Sequence, residues 1–523
     1  MRRWIVVSGG VLSGLGKGIV SASLGKLLQP LKIIPIKCDG YLNVDPGTMN
    51  PFEHGEVFVL EDGGEVDMDF GHYERFMGIS GEAEWNLTQG KVLATIIEKE
   101  RRGDYLGKTV QIIPHVTNEI KRRWKKIYSQ EKADAAIIEI GGTIGDIENQ
   151  TYFEAARQLK IEGNQVVTVH LTYVPELGSG EQKSKPTQQS VSLMLQKGLQ
   201  PDMILCRSDN PIQDKIKQKI ALFCNVEPKA VISNHDRETV YELPLILKRQ
   251  GVGKLLSEKL KLKPKPEFKV WASQVKNILH AKKEVKIALC GKYTALRDAY
   301  ISINEALIHA GALLNVKPKI TLIETTNPKK VDISKYDGLI VPGGFGSRGT
   351  EGKIEAIRQA RETKKPFLGL CLGMQLAVVE YARNVCKLKG ANSTEMAKPK
   401  FPVIFLLPGQ RSVKNKGGSM RLGGQKIKLK PKTLAKNIYK KETIKRRFRH
   451  RYEVNPKYVP LLEKQGLVFS GSTPDGKIKQ ILELPEHPFF IASQFHPEFS
   501  SSLEKPEELF IGFISAIKNG MCK

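Results

Sequence analysis

The stretch Pro366-Phe367-Leu368-Gly369-Leu370-Cys371-Leu372-Gly373-Met374-Gln375 sets one cysteine between two glycines, after an apolar run of strand character and before a helical one. A Gly-x-Cys-x-Gly corner lifts a nucleophile at a strained turn beside the positive end of a helix, a setting that favours the thiolate. Such a nucleophile needs a base and an acid that orients it. Ser493-Gln494-Phe495-His496-Pro497-Glu498-Phe499 offers His496 and Glu498 after a further apolar run. Leu339-Ile340-Val341-Pro342-Gly343-Gly344-Phe345-Gly346 closes a strand on glycines, whose backbone N–H, with that of Leu372, would stabilise the oxyanion of a thioester-forming step. A cysteine alone is commonly a small buried hydrophobe and a histidine alone commonly structural. Three matching elements in this order favour chemistry over packing.

A second chemistry is written at the start of the chain. Ile5-Val6-Val7-Ser8-Gly9-Gly10-Val11-Leu12-Ser13-Gly14-Leu15-Gly16-Lys17-Gly18 reads as a strand, a glycine-rich turn and a helix through residues 21–28. Backbone N–H groups of such a turn close around phosphate oxygens, and Lys17 adds a full positive charge. The pattern departs from a standard P-loop twice: its first glycine is one position early, and Gly18 replaces the hydroxyl residue that would hold magnesium. Carboxylates at strand ends are the natural replacement, and Asp69 and Glu139 stand where that role could be filled, although either taken alone reads more readily as an ordinary loop acid.

The strings Lys37-Cys38-Asp39-Gly40-Tyr41-Leu42-Asn43-Val44-Asp45-Pro46-Gly47 and Glu53-His54-Gly55-Glu56-Val57-Phe58-Val59 make the reading specific. With Gly71-His72-Tyr73-Glu74-Arg75-Phe76, Glu139-Ile140-Gly141-Gly142-Thr143-Ile144-Gly145-Asp146-Ile147-Glu148 and Lys183-Ser184-Lys185-Pro186-Thr187-Gln188, they resemble the CTP synthase family over essentially the whole chain. The Cys371, His496, Glu498 order is similar to that of class I glutamine amidotransferases.

The resemblance implies ATP contacts from Ser13, Gly14, Leu15, Gly16, Lys17, Gly18, Lys37 and Asp69, with Mg2+ on Asp69 and Glu139. It implies a UTP/CTP site from Ser13, Lys183, Ser184, Lys185, Pro186, Thr187, Gln188 and Lys219, with Asp146, Ile147 and Glu148 beside it. Gly344, Leu372, Gln375, Glu395 and Arg451 match glutamine-contacting positions, and a carboxylate with a guanidinium suits the two charged groups on glutamine's α-carbon. His54 and Val57 would lie at the mouth of an ammonia passage. The expected reaction is ATP-dependent amination of UTP to CTP with ammonia from L-glutamine. GTP is expected as allosteric activator, CTP as feedback inhibitor, and a homotetramer as the assembly. The family commonly has His where this chain has Gln189 and Thr where it has Ser184, and the stretch between Glu395 and Met420 is shorter than in some bacterial relatives. Those changes bear on nucleotide affinity and on GTP activation. The competing readings are another amide-forming synthetase that pairs a P-loop with a glutaminase, and a non-catalytic P-loop scaffold; the string at 183–188 speaks against the first and an intact Cys371, His496 and Glu498 against the second.

Positioning these residues requires α/β architecture. Short β-branched runs at 4–7, 135–140, 166–172, 203–206 and 230–233 alternate with amphipathic segments, the signature of a doubly wound parallel sheet. A second series, with runs at 285–289, 338–341, 367–370 and 490–493, predicts another such sheet. The division expected is a synthetase domain at 1–262, a Lys/Pro-rich linker with one helical segment near 270–279 at 263–284, and a glutaminase domain at 285–523. A length of 523 residues suits two large domains. No apolar window of membrane-spanning length and no signal-peptide pattern occur, so a cytoplasmic protein is expected, its seven scattered cysteines reduced. The net charge of +27 is spread along the chain without a nucleic-acid-binding motif, so no specific nucleic-acid partner is expected; nucleoside triphosphates are themselves polyanions.

Overall fold

The computed structural model describes residues 2–47, 49, 55–178, 180–291, 297–406 and 420–520. Its contacts divide the chain into two compact units, Met1–Pro46 with His72–Ala272 and Gly47–Gly71 with Ser273–Lys523. The strands in chain order begin with β1 (Arg3–Gly9), β2 (Ile33–Asp39), β3 (Phe58–Val59), β4 (Glu65–Val66) and β5 (Asn86–Thr88). They continue with β6 (Ala135–Ile140), β7 (Gln165–Tyr173), β8 (Met203–Ser208) and β9 (Val231–His235).

The first unit is built on one sheet ordered β5-β2-β6-β1-β7-β8-β9, parallel at every pairing. Trp4, Ile5, Val6 and Val7 of β1 are all fully buried. Continuous apolar character, rather than alternation, is what a parallel strand covered on both faces requires. The chain winds outward through β2 and β5, returns to β6, and then crosses β1 to β7, β8 and β9. The reversal therefore falls at β1, and ligands of such sheets bind outside the carboxyl ends of the strands at that point. The glycine-rich turn leaves β1 there and runs into the helix Lys17–Leu27.

The second unit adds β10 (Glu284–Leu289), β11 (Lys317–Leu322), β12 (Gly338–Val341), β13 (Phe367–Leu370), β14 (Ala391–Ser393) and β15 (Phe401–Leu406). After them come β16 (Arg421–Leu429), β17 (Thr443–His450), β18 (Tyr452–Val454), β19 (Val468–Ser472), β20 (Lys479–Glu483) and β21 (Phe490–Ser493). Its main sheet is ordered β11-β10-β12-β13-β21-β20-β19-β16-β17. The half from β11 to β21 is parallel; from β21 outward the pairings are antiparallel, a flank the sequence reading did not include. Residues of β13 alternate between two cores: Phe367 packs on the side of the buried helix Leu372–Asn384, Leu368 and Leu370 on the side of helices Ile301–Leu314 and Glu508–Gly520. The hairpin β3/β4 belongs to this unit although it lies early in the chain. The helical segment of the linker is Lys269–His280. Among the described residues no helix is long and apolar enough to cross a membrane.

Candidate active site

Cys371 stands between β13 and the helix that begins at Leu372, with φ 52° and ψ −101°. That backbone is uncommon for a residue with a side chain and is characteristic of strained functional corners. Its N–H is tied to Ser493 O at 2.7 Å. The flanking glycines are demanded by close approach: a Cβ on Gly373 would lie 2.1 Å from Val341 O, and one on Gly369 2.8 Å from Ala492 Cβ. β21 delivers the other two members. His496 Nδ1 and Glu498 Oε1 are 2.7 Å apart, and His496 Nε2 is buried without a hydrogen bond among the described residues. Burial alone would push the imidazole down, but the Glu498 carboxylate and the neighbouring Cys371 outweigh it and raise it to about 10. Phe499 stacks on the ring at 5.1 Å. Burial pushes the thiol of Cys224 up to about 11 and that of Cys290 to about 12.

The glycine turn after β12 lies against this pair, since a Cβ on Gly343 would sit 2.9 Å from His496 Cε1 and 3.5 Å from Cys371 Cβ. Gly344 follows it, close enough that a Cβ there would meet Leu372 Cδ2 at 3.6 Å. A cavity of about 420 Å³ opens here, walled by Cys371, His496, Gly344 and Arg451 and, from the early segment, by Glu56 and Val57. Glu395 Oε1 accepts the Gly346 N–H at 2.8 Å. Burial raises the Tyr452 phenol, Glu395 raises it further and Arg451 opposes, so the three lie within electrostatic reach of one another. Gln375 Nε2 donates to Tyr452 O at 3.0 Å. Of the expected glutamine-contacting residues, Gly344 and Arg451 wall this cavity, whereas Leu372, Gln375 and Glu395 are not among its lining residues. His54 lies outside the described residues.

In the first unit Gly14 and Gly16 take φ of 76° and 85°, left-handed values that glycine adopts without strain. Lys17 opens the helix, and its Nζ donates to Gly142 O at 2.6 Å, over the loop that leaves β6. Lys37 and Glu139 are register partners on β2 and β6. Their side chains pair at 3.1 Å, with Asp39 3.8 Å from the same ammonium and Tyr73 OH donating to Glu139 Oε2 at 2.7 Å. The loop 141–146 is pinned by Asp146, which accepts from Thr143 N and Oγ1, each at 2.6 Å; beyond it Ile147 is 82% exposed. Lys183 pairs with Glu181 at 2.6 Å. Glu181 is held below the usual carboxylate range by Lys183 first and by Lys215 and Lys219 more weakly, so Lys219 is near the same corner. Lys185, Pro186, Thr187 and Gln188 form the first turn of helix Lys185–Gln196. Gln188 Nε2 donates to Ser184 Oγ at 3.0 Å, and Thr187 is buried against Thr172. Ser13 is exposed on the turn.

Two features escaped the sequence reading. A cavity of about 150 Å³ beside Gly14, Leu15 and Gly16 is lined by Arg207, Asn234, Arg237 and Val240, from the carboxyl ends of β8 and β9 and the loop after β9. The carboxyl-end rule for parallel sheets was the signal that could have found it. Beneath the turn, Ser8 Oγ meets His170 Nδ1 at 2.8 Å and His170 Nε2 meets Ser190 Oγ at 2.6 Å. Burial, with Lys17 nearby, lowers this histidine to about 3, so it is neutral.

Among the described residues no group of three metal-ligating side chains exists. The oxygen-only donors do fit Mg2+, which is commonly held by one or two carboxylates together with substrate phosphates. Glu139 is fully buried on the first unit's sheet; Asp69, counted with the second unit, opens helix Asp69–Met77, whose residues from His72 on belong to the first, and its N–H donates to Asp67 Oδ1 at 2.8 Å.

A parallel-sheet P-loop unit and a unit carrying a Cys-His-Glu cluster at a nucleophile elbow define a glutamine-dependent ligase. A family model described as CTP synthase N-terminus matches residues 3–262, and one described as glutamine amidotransferase class-I matches residues 295–516. A CTP synthase of Borreliella afzelii is 51% identical over 98% of this chain and 98% of its own. One of Pyrococcus furiosus is 51% identical over 99% and 98%. The solved Trypanosoma brucei CTPS glutaminase domain with bound acivicin is 33% identical, covering 45% of this chain and 94% of its own, with a TM-score of 0.42. The chain belongs to the CTP synthase family.

Proposed function

We infer that this chain makes CTP from UTP, using ATP to activate the pyrimidine and L-glutamine as nitrogen donor. The observation that carries the reading is the meeting of Cys371, His496 and Glu498 at one cavity, in a chain whose other unit holds a glycine-rich turn running into the helix that Lys17 opens. Cys371 Sγ attacks the glutamine amide carbon, and the N–H groups of Gly344 and Leu372 hold the oxyanion. His496 passes a proton to the departing ammonia, and water then cleaves the thioester to glutamate. Glu395 and Arg451 hold the amino and carboxylate groups of glutamine, and Gln375 completes the pocket.

In the first unit, Ser13 to Gly18 and Lys37 bind the ATP phosphates. Arg207, Arg237 and Val240 line the space left for the base. Glu139, with Asp69, would hold Mg2+, which offsets triphosphate charge. Ser13, Lys183 to Gln188 and Lys219 bind UTP, with Asp146, Ile147 and Glu148 beside it, and CTP competes there as feedback inhibitor. The γ-phosphoryl group moves to O4 of UTP; ammonia adds at C4 and phosphate leaves with the oxygen. Ammonia would protonate in bulk water, so an enclosed route past His54 and Val57 fits the chemistry. We assign residues 1–262 to the synthetase, 263–284 to the linker and 285–523 to the glutaminase, and expect a cytoplasmic homotetramer activated by GTP.

The test is CTP formation followed by absorbance, with glutamine or ammonium as nitrogen source. Cys371→Ala should lose the glutamine-driven reaction and keep the ammonium-driven one. A wild-type chain that hydrolyses ATP yet forms no CTP from either source would overturn the UTP assignment.

A further inference from the structure

The sulfur of Cys371 touches two polar groups besides its histidine neighbour. Arg449 O lies 3.6 Å from Sγ, and Gln494 Nε2 lies 3.6 Å from it on another side. Which end of the Gln494 amide faces the sulfur is settled by a chain of contacts that begins at a group with only one possible role. Tyr452 O is a backbone carbonyl and can only accept, so the Gln375 amide must present its Nε2 there, at 3.0 Å. The same Nε2 donates to Gln494 Oε1 at 3.3 Å. That leaves the Gln494 N–H pointing at Cys371. The three side chains are buried: Gln494 is 0% exposed, Gln375 3% and Cys371 3%.

The two contacts on the sulfur answer differently to its protonation. A thiol donates to Arg449 O; a thiolate cannot, and the carbonyl then offers nothing. The Gln494 N–H donates weakly to a neutral sulfur and strongly to an anionic one, because charge-assisted hydrogen bonds are roughly twice as strong as neutral ones. Its fixed orientation means that no reorganisation is needed when the sulfur gives up its proton.

We propose that Gln494 is a catalytic residue of the glutaminase site, a preset amide donor that stabilises the Cys371 thiolate and aims it at the substrate carbonyl, with Gln375 as the positioning residue that fixes its polarity. The proposal rests on Cys371 being the nucleophile. It adds a fourth group to the cysteine, histidine and glutamate, one that acts on the sulfur rather than on the base.

The test uses the full-length chain and a reaction that needs no glutamine: alkylation of Cys371 by iodoacetamide as a function of pH, with the labelled residue identified by mass spectrometry. Gln494→Met keeps the volume and removes the donor. It should slow alkylation at neutral pH by roughly 10- to 100-fold, the worth of one hydrogen bond to a charged group, and move the profile to higher pH. Glutaminase kcat should fall in parallel. Gln494→Glu, which sets an anion against the sulfur, should be slower still. Gln375→Leu leaves Gln494 in place without its orienting donor and should shift alkylation the same way by a smaller factor; it keeps the test decisive if the buried Gln494 variants fold poorly. Wild-type alkylation rates and pH profiles in Gln494→Met and Gln375→Leu would overturn the proposal and leave both amides as packing. If Cys371 in the wild type is not the fast-labelling thiol, the nucleophile assignment fails, and this proposal with it.

Discussion

Glu498 sets the charge of His496. Without the carboxylate at 2.7 Å, burial would leave the ring neutral; with it, and with Cys371 close by, the imidazolium persists to about 10. A histidine raised on folding contributes stability that is complete below its ordinary value of 6.5 and is lost as pH climbs from there to about 10. Glu498→Gln should therefore flatten the dependence of melting temperature on pH across that window. It should also lower glutamine-driven kcat by roughly 10²- to 10⁴-fold, the usual cost of mis-setting a catalytic base. A variant with a normal rate and an unchanged pH slope would show that Glu498 is a bystander. At this scale the sequence was eloquent where chemistry is local. Gly-x-Cys-x-Gly announces a corner, and two glycines plus a reactive side chain leave little else for it to be. Gln494, two positions before His496 in the same string, passed unnoticed because an amide is chemically silent until the fold brings it to a partner 123 residues away.

Helices and strands transmit the same lesson through packing. Apolar runs named five of the seven strands of the first sheet and four of the five parallel strands of the second, because strands buried on both faces need no partner to be recognised; β2, β5 and β11 were missed. The antiparallel flank was hidden. β17 carries Lys445, Arg446, Arg447 and Arg449 and reads as a solvated basic stretch, yet Arg446 pairs with Glu507 at 3.1 Å and Arg449 with Glu65 at 2.7 Å. The tie between β1, β7 and helix Lys185–Gln196 was equally invisible, since Ser8, His170 and Ser190 are far apart in sequence and each is unremarked alone. Gly10 completes that tie: a Cβ there would lie 1.5 Å from Ser190 Oγ and 2.9 Å from His170 Nε2. Gly10→Ala should force the helix and the phosphate turn apart, at an overpacking cost of about 1–3 kcal/mol. Because that helix begins with Lys185 to Gln188, the KM values for ATP and UTP should rise together in steady-state assays. A rise confined to ATP would mean that the turn moves alone.

On the scale of the whole molecule, the chain leaves its first unit at residue 46, builds a hairpin into the second, and returns at residue 72. This excursion explains part of the basic bias of the later sequence, since Glu61 and Glu65 answer Lys445, Arg447 and Arg449 across the same unit. It also carries an aromatic relay into the thiol site. Phe58 of β3 is 1% exposed, sits 5.5 Å from the Arg447 guanidinium, and meets Phe499 edge-on at 4.9 Å. Phe499 in turn stacks on His496. Phe58→Ala should empty a space at the far end of this stack, at a cost of about 3–5 kcal/mol for a buried phenylalanine. For a unit of this size that corresponds to a melting point lower by roughly 6–20 °C. Phe499 would then lose one of the neighbours that hold its ring against the imidazole, and glutamine hydrolysis should fall along with stability, although Phe58 lies more than three hundred residues before Cys371. Calorimetry and a glutaminase assay on the same preparation read both effects. If melting and hydrolysis match the wild type, the early segment does not pack into the second unit in solution, and the wall that Glu56 and Val57 give the cavity is lost with it.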